Sequence, residues 1–404
     1  LSRILYLTHR TPYPPDKGDR IRTYHLLREM ARRGRVWLGC LADEPVSPDA
    51  RAALGALCER VAAVPVGRRA RWVRAGRSLV AGASLSEGLF ASGELTRVLR
   101  AWAAEVTFDA VVASSSALVP YLRDRALAGI PAVVDLIDVD SQKWLDFAAA
   151  SRPPKAWLYA LEAARVRKVE TALARRARAA TVVSRAEAEV YDSFTHVGAA
   201  TVATNGVDLD YFAPVSCAED PALAFVGALD YLPNADAAVW FARELWPAIR
   251  ARFPAAEFRV VGRNPTPAVR ALAAVPGVRV VGRVPDVRPF VASAAVVVVP
   301  LRLARGVQNK VLEALAMAKA VVAAPAALAA LETVSGVHLV AAATPHEWVE
   351  SVCDLLAAPR KRQLLGIAAR QYVEQNHHWE RCLQPLLDTI FPTHRPATIP
   401  PAPA

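Results

Sequence analysis

Short, wholly apolar runs alternate along this chain with longer stretches whose apolar side chains recur every three or four positions. Residues 3–8 (RILYLT) predict a buried strand, and a proline-rich loop follows over 9–17. A helix is expected over 19–33, with Ile21, Leu26, Leu27 and Met30 on one side. Strands are predicted at 36–41, 61–66, 110–113, 132–137, 181–183 and 201–204, with helices at 48–60, 118–128, 155–179 and 185–191. At 205–217 (NGVDLDYFAPVSC) an Asn-Gly turn and Pro214 interrupt the alternation, and it then restarts. The second series has strands at 223–226, 257–261, 278–281, 295–299 and 321–324. Helices fall at 235–252 and 267–274, a helical turn at 287–292, and further helices from about Lys310, at 345–357 and at 360–376. Such alternation means parallel sheets covered on both faces. The fold class is therefore α/β, as two doubly wound domains, 1–204 and 205–374. Ligands of such sheets lie outside the carboxyl ends of the strands, which puts a shared site in an interdomain cleft. The Pro/Ala-rich tail, 392–404, is expected to be disordered.

Size and composition agree with this picture and narrow it. The 404 residues are enough for two full cores, and 53% hydrophobic with 22% charged residues fits a globular enzyme. No apolar run reaches the roughly 18–20 residues needed to span a bilayer. No charged-then-apolar leader precedes the first strand, so the expected location is cytoplasmic. The five cysteines are scattered and never in CxxC spacing, which reads as buried fillers rather than zinc ligands or disulfides. The net charge of +11 admits nucleic acid, an anionic membrane face or an anionic small substrate. No basic stripe with stacking aromatics is present, so nucleic acid is not expected as a partner. The densest basic segment, RRARWVRAGR, opens with Arg68 and closes with Arg77. It is either a solvated helix face or an amphipathic patch in which Trp72 anchors on anionic lipid, at the inner face of the plasma membrane.

The candidate chemistry lies in loops at strand ends. There is no GxGxxG after a strand, no GxxxxGK[ST], no HExxH and no GxSxG, and no metal site is expected. The first loop, HRTPYPPDKGDR, offers Gly18 for close backbone approach, Lys17, Arg20 and Arg22 for charge, and Asp19 as a helix N-cap. The second, after 132–137, holds Asp138 and Asp140. Either could contact an acceptor hydroxyl or stabilise a cationic sugar, and Asp140 or Ser141 could instead only cap a helix. Gly227 ends the strand at 223–226, with Asn234 or Asp236 as caps of the next helix, while Gly262 and Arg263 leave the strand at 257–261. Residues 300–320 (PLRLARGVQNKVLEALAMAKA) place a strand end, a loop and a helix N-terminus in series, which is an anion site. There Arg302, Arg305 and Lys310 bring positive charge, Gly306, Val307, Gln308 and Asn309 form the turn, and Glu313 shares a helix face with Lys310.

TNGVDLDYFAP, FVGALDYLPNADAAVWF and KVLEALAMAKAVVA resemble the family 4 type of GT-B glycosyltransferases over nearly the whole chain. HRTPYPPDKGDRIR, DVDSQKW and DYLPNAD are most similar to the sugar transferases of PEP-CTERM/exosortase exopolysaccharide loci. The resemblance implies two Rossmann-like domains, a C-terminal helix at about 375–391 crossing back to the first domain, and a retaining transfer. The donor would be a nucleotide diphosphate-sugar, UDP before GDP, without an active-site metal or other cofactor. Glu313 matches the second Glu of the family's Glu-x7-Glu motif, which binds the donor ribose. The first falls on Arg305, which cannot accept hydrogen bonds from sugar hydroxyls. The family's basic pair after the first strand of the second domain falls on Ala228 and Asn234. Its His-Asp pair falls on Ile137 and Asp138.

The expected function is transfer of a sugar to a glycan or lipid-linked acceptor in exopolysaccharide biosynthesis. Two other readings remain open on the sequence. One is a nucleotide-sugar epimerase of the same fold; the other is a non-catalytic nucleotide-sugar-binding protein, motivated by Arg305.

Overall fold

The computed structural model describes residues 1–16, 18–196 and 200–392. Lys17 and most of the 392–404 tail therefore lie outside the described residues. The chain divides into two units, residues 1–203 with 383–404, and residues 204–382.

Unit 1 holds a seven-stranded parallel sheet: β1 (Ser2–Thr8), β2 (Gly34–Ala42), β3 (Arg60–Pro65), β4 (Ala110–Ser114), β5 (Ala132–Ile137), β6 (Ala179–Val182) and β7 (Thr201–Val202). Their order is β3-β2-β1-β4-β5-β6-β7. Unit 2 holds β8 (Asp220–Val226), β9 (Glu257–Val261), β10 (Val278–Gly282), β11 (Ala294–Val299), β12 (Val321–Ala323) and β13 (Val340–Ala341), in the order β10-β9-β8-β11-β12-β13. In both sheets the order reverses beside the first strand, between β1 and β4 and between β8 and β11. A crevice opens at such a reversal because the flanking connections leave to opposite faces. The strands at these points are continuous apolar runs because helices cover both faces; all six residues of β11 are buried.

Several helices differ from expectation. Residues 118–128 form only two short turns, Ser116–Leu118 and Val119–Leu122, with Pro120 at the first turn of the second. The helix Lys155–Ala174 stops short of 179 because the chain must turn into β6. Helices Leu85–Phe90 and Gly93–Glu105 were not anticipated, and Asp140–Ala149 was foreseen only as a helix that Asp140 or Ser141 could cap. The first carried a legible signal, a reciprocal capping box between Ser84 and Glu87. The last helix, Trp379–Ile390, begins within unit 2 and ends within unit 1, where Arg33 donates 2.8 Å to Gln384. Of the cysteines, Cys40, Cys353 and Cys382 are buried as expected, but Cys217 is exposed and Cys58 half-buried.

Candidate functional site

In unit 2 the carboxyl ends of β8, β9 and β11 converge. Gly227 follows β8, and a Cβ there would lie 2.9 Å from the Asn234 Nδ2 and 3.2 Å from the Lys310 Nζ. Gly262 follows β9 and backs it directly: its Cβ would sit 1.7 Å from the Gly227 carbonyl oxygen, so only glycine fits. The two loops are laced together by Leu229 N–H donating to the Arg263 carbonyl at 2.9 Å, and by the Asn264 amide donating to Asp230 at 3.0 Å.

After β11 the chain runs through Gly306, at φ 60°, into the helix Asn309–Ala316. The Gln308 side chain donates to the Arg305 carbonyl at 2.8 Å and closes the loop on itself. Asn309 accepts from the buried Asn205 at 2.9 Å, which ties the helix start to the Asn-Gly turn. Gln308 caps no amide with its side chain; its carbonyl accepts from Val311 at 2.9 Å, which leaves the Asn309 and Lys310 N–H groups without an intrahelical acceptor. Val307 packs against the core, which sets the loop's height above the sheet.

Lys310 leaves this first turn and reaches back over Gly227, donating to the Asn234 Oδ1 at 2.5 Å with its ammonium 5.2 Å from the Phe225 ring centroid. Burial lowers its pKa to about 8, against the raising effect of Glu313. Burial likewise pushes Glu313 up to about 7, against the lowering effect of Lys310. Two partly exposed, oppositely charged groups thus share one helix face near neutrality, each disfavoured in its charged form by its surroundings.

The cap expected of Asn234 or Asp236 is absent. The helix Leu232–Trp240 starts at Tyr231 without a side-chain cap; Asn234 holds Lys310, and Asp236 binds Arg302 at 2.7 and 3.1 Å. Arg302 also lies over the Trp240 ring at 5.3 Å, and its charge is met by Asp236. Arg263 and Arg305 are half-buried at the strand ends.

In unit 1 the first loop also departs from expectation. Gly18 opens the helix Gly18–Arg33, and Asp19 lies inside its first turn rather than at the N-cap position. Its carboxylate receives His9 and Arg10, each at 3.0 Å. Burial opposes ionisation there, but the His9 hydrogen bond and the charges of His9 and Arg10 hold the carboxyl well below the usual carboxylate range. Arg20 and Arg22 are not ligand cations. Arg20 is buried among Asp16, Asp43 and Glu44 at 3.3, 3.3 and 3.4 Å. Arg22, fully buried, makes a two-pronged pair with Asp135 at 2.7 and 2.8 Å and braces the helix against β5.

Asp138 follows Ile137, which is held at φ 69° at the end of β5, and it is half-buried. Asp140 opens the helix Asp140–Ala149 and caps nothing, nor does Ser141. One Asp140 oxygen accepts from Ser116 at 2.6 Å and the other from Lys143. Burial opposes its charge, but Lys143 and Ser116 outweigh that and keep its pKa low. An aspartate held ionised in this way suits electrostatic stabilisation better than proton abstraction. Behind it Glu170, fully buried, is pushed up to about 7 by burial and by the Asp140 charge. His9, Ser116 and Lys143 were not singled out from the sequence. His9 alone had a signal, its place directly after the first strand. Among the described residues no three His, Cys, Asp or Glu side chains are grouped to hold a metal, and no helix is long and apolar enough to cross a membrane.

Residues 220–358 match the family described as "Glycosyl transferases group 1". Among solved structures, sucrose-phosphate synthase from Thermosynechococcus elongatus is similar at 16% identity and a TM-score of 0.71, covering 96% of this chain and 98% of that one. Anabaena Alr3699/HepE, solved with UDP-glucose, is similar at 15% identity and 0.66, covering 96% and 99%. A UDP-forming trehalose-phosphate synthase from Burkholderia xenovorans is similar at 13% and 0.63, covering 96% and 99%. No curated protein matches the sequence. At these identities the likeness establishes the fold, which is that of GT-B glycosyltransferases, with two Rossmann-like units.

Proposed function

We propose that this chain is a retaining glycosyltransferase of the family 4 type, moving a sugar from a nucleotide diphosphate-sugar to a glycan or lipid-linked acceptor. The observation that carries the reading is the cluster at the β8/β11 crevice. Lys310 lies over Gly227, its Nζ 3.2 Å from where a Cβ there would sit, and Glu313 follows one turn on. A diphosphate placed there meets the Lys310 ammonium and the first-turn amides of the helix Asn309–Ala316. Glu313 then accepts from a ribose diol. UDP is the preferred nucleotide, since Alr3699/HepE was solved with UDP-glucose and the Burkholderia neighbour is UDP-forming.

In the transfer itself, charge develops on the leaving diphosphate, and a cation with fixed amides stabilises it without reorganising. The sugar becomes cation-like, and Asp138 or the leaving oxygens balance it. Asp140, already ionised, adds to the negative field. The loop with Gly306, Val307, Gln308 and Asn309 flanks the donor sugar, and Arg305 takes the place of a sugar-binding acid. The exopolysaccharide role, the cytoplasmic location and a peripheral position on an anionic membrane belong to the same proposal. The last is supported by the cations and exposed apolar groups of the helix Arg68–Val80.

Calorimetric titration with UDP, GDP and their sugars tests this. Binding of at least one donor is expected, with Lys310→Ala and Glu313→Ala each weakening it, and the anomeric configuration of the product reads retention. No nucleotide binding, together with an inert Glu313→Ala, would defeat the transferase reading. Conversion of UDP-GlcNAc to its C2 epimer without acceptor would replace it with an epimerase.

A further inference from the structure

Unit 1 contains a cavity of about 170 Å³ at the carboxyl ends of β1, β2 and β3. His9 and Arg10 form its floor, Leu89 and Phe90 an apolar wall, and Arg71 and Trp72 of the helix Arg68–Val80 its lip. Strand ends of this kind are where open α/β sheets take ligands. The charges around the cavity are unequal. Arg10 is neutralised by Asp19 at 3.0 Å and Asp43 at 3.3 Å. Arg71 has neither an ion pair nor a side-chain hydrogen bond among the described residues, and its Nε is buried. Arg71 as a whole is half-buried, and its Nε–H is the part that is out of solvent with no acceptor, at a cost that an anion would relieve. Phosphate suits it, because the guanidinium fork offers two parallel donors to two oxygens.

The outer face of the same helix says how such an anion arrives. Trp72, Val73 and Val80 are 57%, 56% and 91% exposed, Arg69 and Arg77 are exposed beside them, and the helix carries no acidic residue. Arg165 donates to the carbonyls of Leu79 and Ala83 at 2.7 and 2.8 Å, joining the end of this helix to Lys155–Ala174. There Trp157, Leu158 and Leu161 are exposed as well. Exposed apolar side chains with cations beside them are thus present on both helices, and Trp72 also lines the cavity. We infer that the cavity is an acceptor subsite for the phosphate of a lipid-linked substrate, delivered while the two helices rest on an anionic bilayer. This rests on the acceptor half of the function proposed above.

The test is vesicle flotation of the full chain. Phosphatidylcholine vesicles would carry either phosphatidic acid, an accessible phosphate monoester, or phosphatidylglycerol, at matched surface charge. Wild type should float with both and prefer phosphatidic acid by about tenfold, the size of one charge-assisted hydrogen bond. Arg71→Gln should lose that preference and keep binding to phosphatidylglycerol, Arg71→Lys should restore part of it, and Trp72→Ala should weaken both. Unaltered UDP binding by Arg71→Gln would show that this variant is folded. A wild type without the preference, or an Arg71→Gln that keeps it, overturns the subsite. If glycerol 3-phosphate raises the Tm of wild type and not of Arg71→Gln while no vesicle binds, the ligand is a soluble phosphate and the lipid assignment is wrong. Failure of the donor reading is separable, since it appears as absent nucleotide binding whatever the vesicles do.

Discussion

Donor affinity should follow a bell-shaped pH curve set by Lys310 and Glu313. A diphosphate beside Lys310 favours its ammonium, so binding takes up a proton wherever the free lysine is neutral. Hydroxyl donors on Glu313 favour its carboxylate, so binding releases a proton wherever the free acid is protonated. With the lysine at about 8 and the acid at about 7, the maximum lies between those values. One pH unit above about 8, roughly one lysine in ten is charged, and affinity falls about tenfold, or about 1.4 kcal/mol. One unit below about 7 the acid limb falls by the same factor. Because the groups interact, the two apparent values belong to the pair. The assay is titration calorimetry with a nucleotide-sugar, whose esterified diphosphate has no proton to lose near neutrality, in two buffers of different ionisation enthalpy. Lys310→Met should remove the alkaline limb and its proton uptake, and Glu313→Gln the acid limb. A wild-type affinity flat from pH 6 to about 9 would refute this account of the site.

Three further outcomes are expected. Asp135→Asn leaves Arg22 charged and buried without its partner, and should destabilise unit 1 by about 3–5 kcal/mol, read as faster amide exchange in β1 and β4. Glu170, raised from the ordinary carboxyl value to about 7, contributes stability that is complete below the ordinary value and lost as pH rises through about 7. Unfolding measured between pH 4.5 and 7 should therefore show unit 1 weakening with pH, and Glu170→Gln should flatten that slope. Arg305→Ala should lower affinity for a nucleotide-sugar bearing a carboxylate more than for its neutral counterpart. Equal losses would mean that Arg305 meets phosphate alone, and no loss at all would remove it from the site.

The sequence by itself determined both Rossmann-like sheets except for the two-residue edge strand β13, because a strand buried on two faces must be a continuous apolar run, as β11 is. It also located the loop from Arg305 to Asn309 and the glycines at 227 and 262, since strand, turn and helix start are local patterns. What it could not assign was the fate of each charge. Arg20 and Arg22 looked like ligand cations from their loop, yet Arg22 belongs to Asp135, 113 positions away. Asn234 looked like a helix cap, and it holds Lys310 across 76 positions. Arg302 pairs with Asp236 across 66, while Arg71, within the stretch read as a solvated face or a lipid patch, has no ion pair among the described residues. Hydrophobic periodicity is written in neighbouring residues, whereas an ion pair depends on which side chains the folded sheet brings within a few ångströms. Only the tertiary structure decided which charges pair with one another inside the protein.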